Sequence, residues 1–273
     1  MRGFVLAAVA MIAAAAPPAA AQDAVRLHAA GSLRQAMTEL GGAFERATGA
    51  KVTAAFGASG LLRERLAGGE SSDVFASANM EHPQAHAAAG KSGPVALFAR
   101  NKLCALARPG FAATPATLLE RMLDPAVKLG TSTPRADPSG DYAWELFRRA
   151  ERILPGAFAR LDAKALQLTG GPASPQPPEG RSVYAAAIRD GSADVFLAYC
   201  NVSHIARVEW PDLRVIEVPP ELAVGADYGL TVMRGASPMG GEFALFVLSP
   251  EGQRILARNG FDAPGLPLSG ESR

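Results

Sequence analysis

The chain has 273 residues, 48% hydrophobic and 19% charged, and its 27 Lys and Arg against 26 Asp and Glu leave a formal net charge of +1. That balance excludes a nucleic-acid binder that works through a broad basic surface. It leaves room for a site that holds one small anion, because backbone N–H groups and hydroxyls suffice to build one.

Residues 1–21 read as an export signal. Arg2 gives a positive start, Val5 to Ala16 form a short apolar stretch, and Ala19, Ala20 and Ala21 supply small residues for cleavage. The mature chain is expected to begin near Gln22. The apolar stretch is shorter than the about 20 residues of a membrane span, and no lipobox-like Cys follows it. No later window is apolar enough to span a membrane either, so a soluble, secreted product of roughly 250 residues is expected, long enough for two lobes.

Val25–Ala29 is the first strand candidate. Gly31 and Ser32 follow, then a helix with Leu33, Ala36, Met37, Leu40, Phe44 and Ala47 at helical spacing. Ser32 with Gln35 fits a capping box. The unit then repeats, with Lys51–Phe56 as strand, Gly57-Ala58-Ser59-Gly60 as turn and Leu61–Leu66 as the start of a helix. Asp73–Ala78 is a third strand, and the alternation implies parallel pairing with right-handed crossovers.

Val95–Phe98 and Lys102–Ala107 read as two further strands, Pro115–Leu123 as a helix and Val127–Thr131 as a strand. A helix from about Asp141 buries Leu146, Phe147 and Ala150. Thr169–Gly180, with Pro172, Pro175, Pro177 and Pro178, is a loop. Ser182–Arg189 as helix and Asp194–Tyr199 as strand make a second βα set, and with it a second lobe. A strand at Gly229–Met233 and a helix at Gly241–Val247 come next. A last helix opens at Ser249-Pro250-Glu251, with Ser249 as cap, and stops at Asn259-Gly260. Cys104 and Cys200 belong to an oxidising compartment, where a disulfide and two buried free thiols stand as alternatives.

Ser32 and Ser59 each follow a strand and open a helix, where unpaired N–H groups and the positive end of the dipole favour an anion. Both turns fall at the carboxyl ends of parallel strands, the usual ligand crevice of open α/β sheets. Each serine also fits an ordinary cap worth about 1 kcal/mol. Asp137-Pro138-Ser139-Gly140-Asp141-Tyr142-Ala143 leads into a helix, with Ser139 its natural cap. Arg181 and Ser182 open another, where Arg181 is either a charge-assisted anion partner or a solvated side chain. Tyr199, at the end of its strand, either donates its hydroxyl to a ligand or packs.

Catalytic motifs fail. Gly57-Ala58-Ser59-Gly60-Leu61 lacks the last glycine of a nucleophile elbow, and Gly90-Lys91-Ser92 has Ala85 where a P-loop needs glycine. His82 and His86 are read as surface histidines; with only His28 and His204 besides, no metal cluster, cofactor site or Ser/His/Asp set emerges.

Three segments carry a resemblance: Ala29-Ala30-Gly31-Ser32-Leu33, Phe56-Gly57-Ala58-Ser59-Gly60-Leu61-Leu62 and Asp73-Val74-Phe75-Ala76-Ser77-Ala78. In that order the chain resembles the periplasmic molybdate-binding proteins of ABC transporters, and the likeness continues through Leu248-Ser249-Pro250-Glu251-Gly252-Gln253 to Gly260-Phe261. The resemblance implies a two-lobed α/β Venus flytrap with crossover hinge strands. Residues 22–98 and 229–273 would form one lobe and 99–228 the other, in a periplasmic monomer that hands its ligand to an inner-membrane permease. It also implies a tetrahedral dianion, molybdate or tungstate, held by Ser32, Ser59, the Ala143 backbone amide and Tyr199, with Arg181-Ser182 near the position of a further amide donor.

Departures lie at Thr133–Ser139, which carries more charge than the family's usual motif, and at Cys200-Asn201-Val202, where Thr-Asp-Ala is usual. They keep open another small anion: sulfate-like, phosphate or a small carboxylate. Molybdate, tungstate and sulfate carry no proton near neutral pH and want donors only, whereas hydrogen phosphate needs an acceptor, for which Asp137 or Asp141 is a candidate. A hydrolase using Ser59 lacks a visible base, and a structural module without a ligand is the remaining reading.

Overall fold

The apolar stretch at Val25 that opens the sequence pattern becomes β1 (Val25–Ala30), buried along almost its whole length. The computed structural model describes residues 24–175 and 181–266; the export signal of residues 1–21, Gln22 and the 176–180 part of the proline-rich loop lie outside the described residues. β2 (Val52–Gly57) and β3 (Val74–Ser77) lie parallel to β1 on its two sides. The connections are α1 (Arg34–Thr48), entered through a 3-10 turn at Gly31–Leu33, and α2 (Ser59–Ala67). α1 presses Ala36, Met37, Leu40 and Phe44 into the core, the face its spacing predicts.

After α3 (Glu81–Ala88) the chain enters β4 (Ser92–Ala107), a single strand of 16 residues where the sequence reads as two. Arg100-Asn101 looks like a break because it is polar. Across from it on β9 (Gly225–Met233), Arg100 faces Asp227 in register and binds it at 2.9 Å, so the strand runs on. β4 then passes from one sheet into another. Residues up to Lys102 pair with β9, whereas Leu103–Ala107 pair with β7 (Val195–Tyr199) and with β8 (Arg214–Glu217).

The second sheet continues through β5 (Leu129–Ser132) to β6 (Leu166–Thr169), giving the overall order β2-β1-β3-β9-β4-β7-β5-β6. Its helices are α4 (Leu118–Leu123), α5 (Pro138–Ile153), α6 (Ala157–Lys164), α7 (Val183–Arg189) and α8 (Cys200–Glu209). The chain returns along β9 to α9 (Pro238–Leu248) and α10 (Pro250–Arg258) on the first sheet. The result is a two-lobed α/β fold, and among the described residues no helix is long and apolar enough to cross a membrane.

The caps separate expectation from outcome. Ser249 caps α10 with its Oγ accepting from Gly252 N at 3.1 Å and Pro250 as first residue, as the sequence indicates. α5, by contrast, starts at Pro138 rather than Asp141. Its cap is Asp137, whose Oδ1 accepts from Ser139 N at 3.1 Å, so Ser139 does not cap. Nor does Ser32 form the capping box with Gln35, since its hydroxyl is taken up elsewhere.

Cys104 and Cys200 form a disulfide across a sequence separation of 96, which decides between the two alternatives. Closing so long a loop restricts the unfolded chain. The Cys104→Ser/Cys200→Ser double variant is expected to lose about 2–4 kcal/mol of unfolding free energy, measured by chemical denaturation.

His82 and His86 are not surface residues. α3 packs against β4 and β9, leaving the two histidines 4% and 3% exposed, with His86 edge-on to Phe75 at 5.7 Å. Both ring nitrogens of His82 lack a partner, and burial lowers its pKa from the usual 6.5 to about 4. Between those values the unfolded chain binds a proton that the folded chain refuses. The contribution is therefore complete above pH 6.5 and lost as pH falls toward 4. Relative to His82→Leu, the parent should lose on the order of 2 kcal/mol of stability across that window; parallel stability curves for the two proteins would contradict it.

Candidate functional site

β2, β1 and β3 are adjacent parallel strands, so their carboxyl ends, and the turns that follow them, come together at one edge of the sheet. Those turns bring Gly31-Ser32, Ala58-Ser59 and Ala78 to one wall of a cavity of about 40 Å³. The facing wall comes from the second lobe: Asp137 at the start of α5, Tyr184 on α7 and Tyr199 at the end of β7. The space is about three times what one water needs, the size of a small ion.

The hydroxyls are fixed from behind. Ser59 Oγ accepts from Ala78 N at 3.1 Å, which leaves its O–H to donate into the cavity. Ser32 Oγ shares a hydrogen bond of 3.0 Å with the Tyr228 hydroxyl. The Tyr199 ring lies against Tyr228 at 5.6 Å and Tyr142 at 6.3 Å, and the Tyr199 and Tyr142 hydroxyls stand 3.5 and 3.4 Å from the Ala78 carbonyl. Burial pushes the pKa of Tyr199, Tyr184 and Tyr228 upward, so all three phenols keep their protons. Among the described residues, no Lys, Arg or His lines the cavity, and its one acid is Asp137, whose carboxyl burial raises from 3.8 to about 6.

The two walls touch directly. Gly60 N, one of the amides a helix start leaves unpaired, donates to the Ala136 carbonyl at 2.9 Å. Asn201, at the start of α8, donates its Nδ2 to the Ser32 carbonyl at 3.0 Å and accepts from Asn101 Nδ2 at 2.8 Å. Arg135, beside Ala136, is the one residue other than glycine with a positive φ among the described residues, at 66°. Its conformation turns the loop so that consecutive carbonyls face Gly60. A groove of about 350 Å³ adjoins the site, lined by Glu81, Asp141, Tyr142 and Asp227 among others.

Ser32, Ser59 and Tyr199 are thus brought together as the sequence indicates, and three other candidates are not. Ala143 is buried as the sixth residue of α5, beyond the first turn whose amides are unpaired, and does not reach the cavity. Arg181 turns to Glu209 at the end of α8, with 3.0 Å between Nε and Oε1. Ser182 caps α7 through Ala185 N, and its own N–H goes to Glu209 at 2.7 Å. Sequence reasoning missed Tyr184 and Tyr228 and weighed Asp137 only as an acceptor. Tyr184 lies two residues past the Ser182 cap, a weak signal; Tyr228 carries no local signal. Among the described residues, no group of His, Cys, Asp and Glu is placed to hold a metal ion.

Two α/β lobes closed over a small cavity lined by neutral donors describe a solute-binding protein. The family model of bacterial extracellular solute-binding proteins matches residues 25–262, and the chain belongs to that family, whose members serve transport rather than catalysis. An uncharacterised protein of Pasteurella multocida (strain Pm70) is 35% identical over 207 residues, 76% of this chain and 86% of that one. In fold, the chain is similar to the periplasmic molybdate-binding protein of Azotobacter vinelandii, with a TM-score of 0.69 at 16% identity, covering 89% of this chain and 100% of that one. It is likewise similar to the sulfate-binding protein SubI of Mycobacterium tuberculosis H37Rv, with a TM-score of 0.73 at 16% identity, covering 89% and 87%.

Gly60 gives a direct test of closure. A Cβ there would lie 2.2 Å from the Arg135 carbonyl and 2.7 Å from that of Ala136. Gly60→Ala should keep or slightly raise folding stability, by up to about 1 kcal/mol, because alanine suits a helix better. It should also lose the compaction that a bound solute causes in solution scattering. Compaction equal to the parent's would mean that this contact is dispensable.

Proposed function

We propose that this chain is the periplasmic receptor of an ABC importer and that it captures one small tetrahedral oxyanion, molybdate or tungstate. The observation that carries the reading is the convergence of Ser32, Ser59 and Tyr199 on a cavity of about 40 Å³ with no cationic side chain in its wall. Neutral donors around a small space suit an anion that carries no proton and must be stripped of water as the lobes close. The likeness in fold to a molybdate-binding protein points the same way. In this reading residues 1–21 direct export and are removed. The lobes formed by 22–98 with 229–273 and by 99–228 rock about β4 and β9, and the closed monomer docks on the permease. No bond is made or broken.

Asp137 favours a second reading, hydrogen phosphate or another proton-bearing oxyanion, because a carboxyl in the wall is an acceptor that molybdate cannot use.

Thermal unfolding of the ligand-stripped protein with molybdate, tungstate, sulfate, phosphate and small carboxylates separates these. A ligand at 1,000 times its dissociation constant adds about 4 kcal/mol, readily seen as a higher melting temperature. Molybdate and tungstate are expected to give the large shifts, and Ser59→Ala to weaken their binding about tenfold or more, beyond the loss of about 1–3 kcal/mol of unliganded stability that follows when Ala78 N loses its acceptor. Shifts with carboxylates alone would sink the oxyanion reading.

A further inference from the structure

We infer that the bound complex holds one proton between the Asp137 carboxyl and the anion. A hydrogen-bearing oxyanion such as hydrogen phosphate would then enter as it is, and a proton-free dianion such as sulfate or molybdate only with uptake of one proton from water. The inference rests on the oxyanion reading.

Asp137 lines the cavity and is held there. Its Oδ1 accepts from Ser139 N at 3.1 Å, and its other oxygen lies against Gly170, where φ is 74° and a Cβ would sit 2.6 Å from Oδ2. The groups around the carboxyl offer it no cation. Ser132 ends β5, Thr169 ends β6, Tyr184 faces it from α7 and Tyr199 from β7; across the cavity stand Ser32 and Ser59. The charge that acts on it, Asp141 on the next turn of α5, is negative and raises its pKa further.

An ionised Asp137 and a dianion in so small a space repel each other at short range, where little water screens them. One proton removes the repulsion and replaces it with a hydrogen bond. Among the described residues of the wall, no other group exchanges a proton near neutral pH, since burial pushes the tyrosines upward, and the same burial pushes Asp137 up to about 6.

The test is titration calorimetry of the mature protein with sulfate, molybdate and phosphate from pH 7 to 9, in buffers of differing ionisation enthalpy. Sulfate and molybdate should weaken about tenfold per pH unit and take up one proton each; phosphate should take up none, releasing part of a proton near pH 7 where much of it still carries two, and should hold its affinity from pH 8 to 9 where it is hydrogen phosphate. Asp137→Asn retains a good helix cap and should remain folded. It should bind sulfate and molybdate with a flat pH profile, tenfold or more tighter than the parent at pH 9. Binding without proton uptake and with equal profiles in parent and variant would overturn the shared proton and leave the oxyanion reading standing. Failure of all three anions to bind at any pH would overturn both.

Discussion

The continuity of β4 is the constraint on which the site depends. One strand serves two sheets, so the register of its partners fixes the two lobes relative to each other. β9 sets Tyr228 opposite Ala99, and β7 sets Tyr199 opposite Leu103. Four residues of one strand therefore separate the anchors of a tyrosine on the first sheet from one on the second, and the rings meet at 5.6 Å. The Cys104–Cys200 disulfide follows directly, tying the residue after Tyr199 to the residue after Leu103. A slip of one residue on either side of β4 would turn one of the tyrosines away from the cavity.

Closure across this frame is made from weak parts. Gly60 N to Ala136 and Asn201 to the Ser32 carbonyl are single hydrogen bonds, each worth about 1 kcal/mol net. Such contacts can be exchanged for water on opening, whereas the buried sheets on either side cannot. Asn201 shows how a departure from a family pattern is put to use. The Cys200-Asn201 pair, where the related motif has Thr-Asp, supplies both the covalent tie and the bond to the other lobe.

What was legible in the sequence was local. The first βα units were readable because apolar runs, a Gly-Ser turn and helical spacing all fall within about a dozen residues of one another. Ser32 and Ser59 were found for the same reason. Tyr228 was not, because nothing near it in the chain shows that a strand 196 residues away would bring it to Ser32. Arg181 misled in the opposite direction. A cation at the start of a helix looks like an anion partner until tertiary packing places Glu209 beside it. His82 and His86 misled because a short polar helix reads as surface, and only the packing of α3 on β4 and β9 shows otherwise.

The chemistry of the cavity and the motion of the lobes are one problem. A neutral hydroxyl or amide binds an anion weakly in water, where it competes with solvent, and far more strongly where water is excluded and the local dielectric is low. In the proposed reading, affinity arises when the second lobe brings Tyr199 and Tyr184, with Asp137 beside them, to the serine turns of the first. The adjoining groove carries Glu81 and Asp141, together with Asp227, which Arg100 pairs with, so it offers no field that would steer an anion inward. If the ligand is the oxyanion proposed, shape and proton content decide between oxyanions of equal charge, because those are the properties that fixed hydroxyls and the Asp137 carboxyl read.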